Sequence, residues 1–265
     1  MKNRWSIIGL VILVVSLVLA AGCNGEPLRV GELQTESTTV ELGAAETVLA
    51  EIKMGAGRLA IDGGGDELLQ AQFTYNVEGW QPEVDYEVTD GLGRLHVDQP
   101  ATNEGFSLDL DDIRYEWDLR FNEDVPMDMA ITLGAGDSQL ALSNLSLNTL
   151  DFENGAGDTD INLSGSTVRD LEVRMGAGNV SVDLSGNWQQ DLSADMIGGI
   201  GRATVILPTS AGVRVRVQGG LGQVNATGLI RDGNVYTNDA YGASDVTLDI
   251  DIEGGVGEIN LELAE

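Results

Sequence analysis

The densest set of metal-type oxygen ligands lies in the acidic stretch S-L-D-L-D-D-I-R-Y-E-W-D. Asp109, Asp111 and Asp112 stand close together, and Glu116 and Asp118 follow. Carboxylate oxygens are the ligands that Ca²⁺ prefers. The chain holds 43 Asp and Glu, however, so chance neighbours are expected and a solvated acidic loop is the simpler interpretation. We therefore predict no resident metal or cofactor, and treat the three aspartates as part of a candidate binding surface.

The chain's single histidine, His96, and its many carboxylates are the remaining candidates for catalysis. A histidine can activate a nucleophile, and two carboxylates can hydrolyse a polysaccharide. His96 stands between Leu95 and Val97 in a strand-like alternation, and no Gly-x-Ser-x-Gly motif accompanies it. We therefore predict a non-enzymatic protein. A carbohydrate-active enzyme with carboxylates in a solenoid groove is the alternative.

The first 23 residues predict the compartment. Lys2 and Arg4 precede the uncharged run Ile7–Ala21, and Ala20-Ala21-Gly22 leads into Cys23. The run is shorter than the roughly 20 residues that span a bilayer and is typical of a signal peptide. The pattern resembles a bacterial lipoprotein signal. We expect residues 1–22 to be removed and Cys23 to be acylated, with an uncleaved anchor helix as the alternative.

This interpretation divides the chain into three predicted parts, of which the signal peptide is the first. Residues 23–45 form the acylated cysteine and a flexible tether, and residues 46–265 form a β domain. Two acyl chains hold a protein stably on a membrane. The predicted location is therefore extracytoplasmic, on a bacterial membrane of the cell envelope.

Charge and cysteine content exclude several classes of protein. The formal net charge is −29 and the pI is about 4.1, which argues against nucleic-acid binding because phosphates require clustered Lys and Arg. A single cysteine permits no intramolecular disulfide. Such an acidic surface suits a basic or cation-bridged partner.

A glycine repeat predicts the architecture. From Gly134 to Gly220, the first glycines of successive Gly-x-Gly tripeptides are 21 to 23 residues apart, and apolar and polar residues alternate on both sides. Alternation at period two is typical of strands with one buried face, and glycine permits a sharp corner. We predict an all-β, solenoid-like stack of strand–corner–strand repeats, with a β-sandwich of hairpins as the alternative. The first glycines are Gly55, Gly91, Gly134, Gly155, Gly176, Gly199, Gly220 and Gly255.

An aromatic-rich insertion interrupts this repeat at about residues 66–126. Alternating residues in 73–77 and 84–88, separated by 78–82, predict a hairpin, and residues 102–112 are interpreted as a loop. Trp80 and Trp117 could stack on sugar rings or on a partner, or pack in the core beneath the hairpin.

The ordered phrases of the chain resemble the bacterial toast-rack domain family. They include FTYNVEGWQPEVDYEV, LDFENGAGDTDINLSG, LEVRMGAGNVSVDLSG and YTNDAYGASDVTLDIDIEGGVGEINLEL. The resemblance covers about residues 45–265. It implies an all-β, solenoid-like fold outside the membrane, similar to the extracytoplasmic part of membrane proteins in cell-wall antibiotic stress signalling. It supplies no catalytic residues.

These observations together predict a lipid-anchored envelope protein that acts as a binding or scaffold module in adhesion or envelope stress. Its predicted partners are the membrane, through the lipid on Cys23, and a cell-wall component or envelope protein.

Overall fold

The computed structural model describes residues 30–100 and 113–264. This part of the chain consists of strands and loops and contains no helix that could cross a membrane. The strands are β1 (Val30–Val40), β2 (Thr47–Asp62), β3 (Leu69–Val77), β4 (Glu83–Thr89), β5 (Leu92–Asp98), β6 (Tyr115–Phe121), β7 (Met127–Ala141), β8 (Leu147–Ala156), β9 (Thr159–Asn162), β10 (Asp170–Asp183), β11 (Leu192–Leu207), β12 (Gly212–Thr227), β13 (Ile230–Asp232), β14 (Val235–Thr237) and β15 (Thr247–Leu263).

The long strands carry the glycine repeat at their middle. β2, β7, β10, β11, β12 and β15 each run through a Gly-x-Gly corner, and β8 with β9 forms one broken rung of the same kind. The halves before the corners form what we call the first face, and the halves after the corners form the second face. Alternate side chains of both faces are buried in one core. Neighbouring rungs pair in parallel, which confirms the predicted solenoid-like stack.

The strand order departs from the chain order near the end. β2, β7, β8, β10 and β11 follow one another, but β15 inserts between β11 and β12. The last segment of the chain therefore forms an inner rung, and β12 becomes the outermost long rung. The glycines stay in register across this insertion, because Gly201 pairs with Gly257 and Gly257 with Gly222.

The flanking glycines of stacked corners lie too close together to carry a side chain. A Cβ atom built on Gly157 would lie 2.0 Å from the carbonyl oxygen of Gly136, and one on Gly178 would lie 1.9 Å from that of Gly157. Both residues also have positive φ, +129° and +131°, which L side chains rarely adopt. The repeat of glycine in the sequence is therefore a steric requirement of the ladder.

The predicted aromatic hairpin is wrong. β3 pairs with β1 and β6, whereas β4 pairs with β5. The β4–β5 connection is the two-residue turn Asp90-Gly91, with φ of 52° and 81°, as a type I′ turn requires. Gly91 therefore belongs to a hairpin turn and not to the ladder of corners.

The predicted tether is wrong for Val30–Val40, which forms strand β1 antiparallel to β3. Most of its side chains are exposed, so the sequence lacks the alternation that marks a half-buried strand. Backbone pairing along β3 holds it, together with the hydroxyl of Tyr75, which donates a hydrogen bond to Glu36 at 2.7 Å.

The two ends of the stack are finished differently. Beyond β2, the first face continues into β5 and β4, and the second face into β6, β3 and β1. At the other end, β14 and β13 extend the first face through pairing of β14 with Arg214–Arg216. Among the described residues, no strand covers the second half of β12.

Candidate binding surface

Trp80 and Trp117 pack in the core and do not form the candidate stacking surface. Their exposed fractions are 7% and 1%. Trp117 contacts Phe73 edge-to-face with ring centroids 5.4 Å apart, and Trp80 contacts Tyr115 in the same way at 5.2 Å. Such aromatic pairs stabilise a core beyond the area that they bury. The binding role considered for these two residues is therefore wrong.

Four other predicted site residues lie outside the described residues: Cys23, Asp109, Asp111 and Asp112. Two acids from the end of the same acidic stretch are described. Glu116 forms an ion pair with Arg114 at 3.0 Å, and Asp118 is exposed on β6. Within residues 30–100 and 113–264, no three His, Cys, Asp or Glu side chains form a group that could hold a metal ion.

His96 takes part in an exposed ion-pair cluster. Its Nδ1 lies 2.9 Å from Oε2 of Glu51 on the neighbouring strand β2, and Glu51 also pairs with Lys53. The hydrogen bond from Lys53 lowers the pKa of Glu51. The Glu51 carboxylate is thus shared between the Lys53 ammonium group and the His96 ring, which is typical of an exposed salt-bridge cluster.

Carboxylates form a row across the outer surface of the first face. Asp151, Glu172, Asp195 and Asp251 occupy paired positions on the successive strands β8, β10, β11 and β15. Arg174 bridges Asp151 and Glu172. At the end of the stack, Arg214 pairs with Asp249 and Arg216 with Asp251. The first face is thus acidic along its length, with arginine on its last rung.

The corners change character in the last three rungs. The earlier corners carry a small alanine between the two glycines, whereas β11, β15 and β12 carry Ile200, Val256 and Leu221. These side chains are 64%, 51% and 76% exposed. Val256 pairs with Ile200 on one side and with Leu221 on the other, so the three form a continuous apolar ridge, which we call the corner ridge.

A second change accompanies the first. The residue just before each corner is buried at Met54, Leu133, Asn154 and Met175, but the last three rungs have glycine there. Those glycines are Gly198, Gly219 and Gly254. In the last three rungs, the large side chain of the corner therefore lies on its outside, whereas in the earlier rungs it lies on the inside.

A cavity of about 80 Å³ lies beneath the corner ridge. Met175, Met196, Val205 and Ile252 are among the apolar side chains that line it. Gly198, Gly219 and Gly254 also line it, at the position where the earlier rungs carry a buried side chain. The sequence analysis did not predict the ridge. Its signal in the sequence is the change from x-Gly-Ala-Gly to Gly-Gly-x-Gly at the corners of the last three rungs.

Comparisons with known proteins agree with this architecture. The family model described as the N-terminal domain of toast_rack, DUF2154, matches residues 29–169 and 155–206. Curated proteins give no match. The crystal structure of a "putative cell adhesion protein" from Clostridium sporogenes is 34% identical, with a TM-score of 0.69, and the match covers 88% of this chain and all of the other.

A more distant structure is a "putative adhesin" from Parabacteroides distasonis, at 12% identity and a TM-score of 0.35, with 86% of this chain and 97% of the other covered. The family match spans more than half of the chain, and it begins at residue 29, next to the first residue of β1. The chain belongs to the toast-rack family.

Proposed function

We propose that this chain is a lipid-anchored, extracytoplasmic binding module that acts in adhesion at the cell envelope, with the corner ridge as its contact surface. The observation that carries the proposal is the contiguous exposure of Ile200, Val256 and Leu221 on a chain with a net charge of −29. Exposed apolar patches with polar surroundings mark interaction sites. The similarity to a structure described as a cell adhesion protein supports the same role.

The arrangement of the carboxylates favours binding over polysaccharide hydrolysis. A glycosidase needs two carboxyl groups that flank the scissile bond within a cleft. The acids of the first face instead stand side by side on neighbouring rungs, with arginine between or beside them. This arrangement suits a charged outer surface.

Anchoring is the second part of the proposal, and Cys23 carries it. β1 begins at Val30, at the opposite end of the second face from β12. The acylated cysteine would therefore hold the β1 end near the membrane and leave the corner ridge free. Labelling cells with an alkyne fatty acid tests this: the full chain should incorporate label, and Cys23→Ser should not. Equal labelling of the two chains contradicts the anchor.

Adhesion is tested with the full chain on liposomes added to isolated envelopes of the producing organism. We expect wild-type liposomes to sediment with the envelopes. Ile200→Ser with Val256→Ser should reduce sedimentation at least tenfold, because it removes apolar contact area. Ala135→Ser with Ala177→Ser, at the alanine corners, is the matched control. Undiminished sedimentation of the ridge variant would refute the role of the corner ridge.

A further inference from the structure

The second half of β12, residues Gly219–Thr227, leaves one side of its backbone unpaired; we call it the open edge. β15 pairs with it on one side, and β14 reaches only Arg214–Arg216 in the first half of the strand. Among the described residues, no strand pairs with its other side. Val224 and Ala226, which would face the core in an inner rung, remain partly exposed here.

The other end of the second face shows how an edge is normally protected. β1 carries Glu32 and Glu36, and its pairing with β3 shifts register between Val30 and Gln34. Charges and irregularities of this kind discourage edge-to-edge association. From Val217 to Ile230, by contrast, the chain has no charged residue and no proline. The backbone of the open edge is irregular only at its start, where Gly219 and Gly220 have φ of 71° and 83°. From Leu221 to Thr227 the edge has neither charge nor proline to protect it.

We propose that the open edge binds a second copy of this chain, by antiparallel pairing of two open edges about a twofold axis. A twofold interface uses the same surface on both partners, and an uncharged strand meets itself without like-charge repulsion. The contact would cover the edge of the core at Val224 and Ala226, and bring the exposed Ile230 under cover. A basic partner would instead require acids along this edge, and none are present.

The position of the open edge suits a contact between anchored molecules. β12 lies nine strand-to-strand steps from β1, roughly 43 Å at about 4.8 Å per step. The contact rests on the proposed function in one respect, because the distance of the open edge from the membrane depends on the proposed anchor. The pairing itself depends on the strand edge alone.

Cysteine crosslinking of the full chain, in detergent and in liposomes, tests the contact. Gln223→Cys and Thr227→Cys place a thiol on the open edge. Thr132→Cys and Gln139→Cys place one at exposed positions of the inner rung β7. Cys23 is present in all four chains, so any crosslink through it appears in all. We expect a bismaleimide to produce dimers from the edge variants only. Equal dimer yields from edge and inner positions, or none, overturn the proposal.

Charge on the edge gives an independent measurement. Gln223→Glu with Thr227→Glu should weaken association of the detergent-solubilised chain at least tenfold, whereas Thr132→Glu with Gln139→Glu adds the same charge and should leave it unchanged. Wild-type association should strengthen with salt, because salt screens repulsion between two acidic bodies. Association that weakens with salt, or that the edge charges leave intact, contradicts the open edge as the contact. Neither measurement depends on acylation of Cys23. If fatty-acid labelling shows no acylation, the proposed anchor fails but the test of the open edge stands.

Discussion

Three buried polar side chains interrupt the apolar interior near the corners. Ser138 and Thr159 stand at positions that are apolar in most rungs, and Asn154 takes the place of Met or Leu. Their presence is explained by one network: the Ser138 and Thr159 hydroxyls lie 2.9 Å apart, and Asn154 donates to Thr159 and to the carbonyl of Gly136, both at 3.1 Å. Buried polar groups are tolerated when they are hydrogen-bonded in this way.

Truncation of this network should be costly. Asn154→Ala removes two donated hydrogen bonds and leaves buried oxygen atoms without that donor, so we expect a loss of about 1–3 kcal/mol in the free energy of unfolding. Urea unfolding followed by circular dichroism measures it. Asn148→Ala, on the exposed surface of β8, is the control and should change little. An unchanged midpoint for Asn154→Ala would show that the network contributes no net stability.

Tyr75 couples the stability of the β1 edge to high pH. Burial, followed by the hydrogen bond to Glu36, raises the pKa of Tyr75 from 10 to about 12. A folded-state pKa above the unfolded value gives stability that is complete below pH 10 and is lost as the pH rises towards 12. Unfolding free energy should therefore decrease across this range, and Tyr75→Phe should make the decrease smaller. Urea titrations at several pH values measure both, and identical slopes would contradict the assignment.

Among the elements, the ladder of stacked glycine corners restricts the sequence most strongly. Gly157→Ala would place a methyl group 2.0 Å from the carbonyl oxygen of Gly136 and force alanine to a φ of +129°. Strain and overpacking together should cost about 3 kcal/mol or more.

Gly198→Ala is the matched control for that substitution. A Cβ atom on Gly198 would have its nearest neighbour at 3.9 Å, and no positive φ is required there. We expect a change within about 1 kcal/mol. Thermal and urea unfolding of the two variants compare the positions directly. Similar losses at both would show that the ladder does not limit stability.

The sequence allowed the rungs to be predicted because stacking imposes a period, and the period is visible in the glycines. The insertion was less predictable. β3 and β4 are adjacent in sequence and alternate well, but the strongest short hairpin signal is Asp90-Gly91, which the Gly-x-Gly pattern places at a corner. Strand β1 gave no signal, since its pairing depends on backbone hydrogen bonds rather than on a buried face.

The candidate site was predictable only in part. Trp80 and Trp117 have side chains that suit binding, but whether they face solvent depends on the pairing of β3 with β6, which joins residues 40 to 52 positions apart in sequence. The corner ridge depends on rung order, because Ile200 and Leu221 become members of one ridge only when β15 brings Val256 between them. A local pattern cannot report such long-range pairing.

At the scale of the whole molecule, repulsion between carboxylates opposes the compact folded state. The chain has 43 acidic and 14 basic residues, so most carboxylates have no cation to pair with. Rows such as Glu172, Asp195 and Asp251 place like charges on adjacent strands, where direct neighbours destabilise a sheet. The surface ion pairs of Arg174 and Arg216 offset this only locally, because exposed pairs contribute little.

Salt should therefore stabilise this protein, which is the opposite of what ion pairs alone would give. Raising NaCl from about 0.02 M to about 0.5 M shortens the screening length below the spacing of distant charges, so repulsion across the acidic first face weakens. We expect the urea midpoint to rise over that range. Asp195→Asn removes a charge that lies between Glu172 and Asp251, so this variant should be more stable than wild type at low salt and should respond less to added salt. A midpoint that decreases with salt would mean that attractive pairs, such as Arg214–Asp249, outweigh repulsion in this fold.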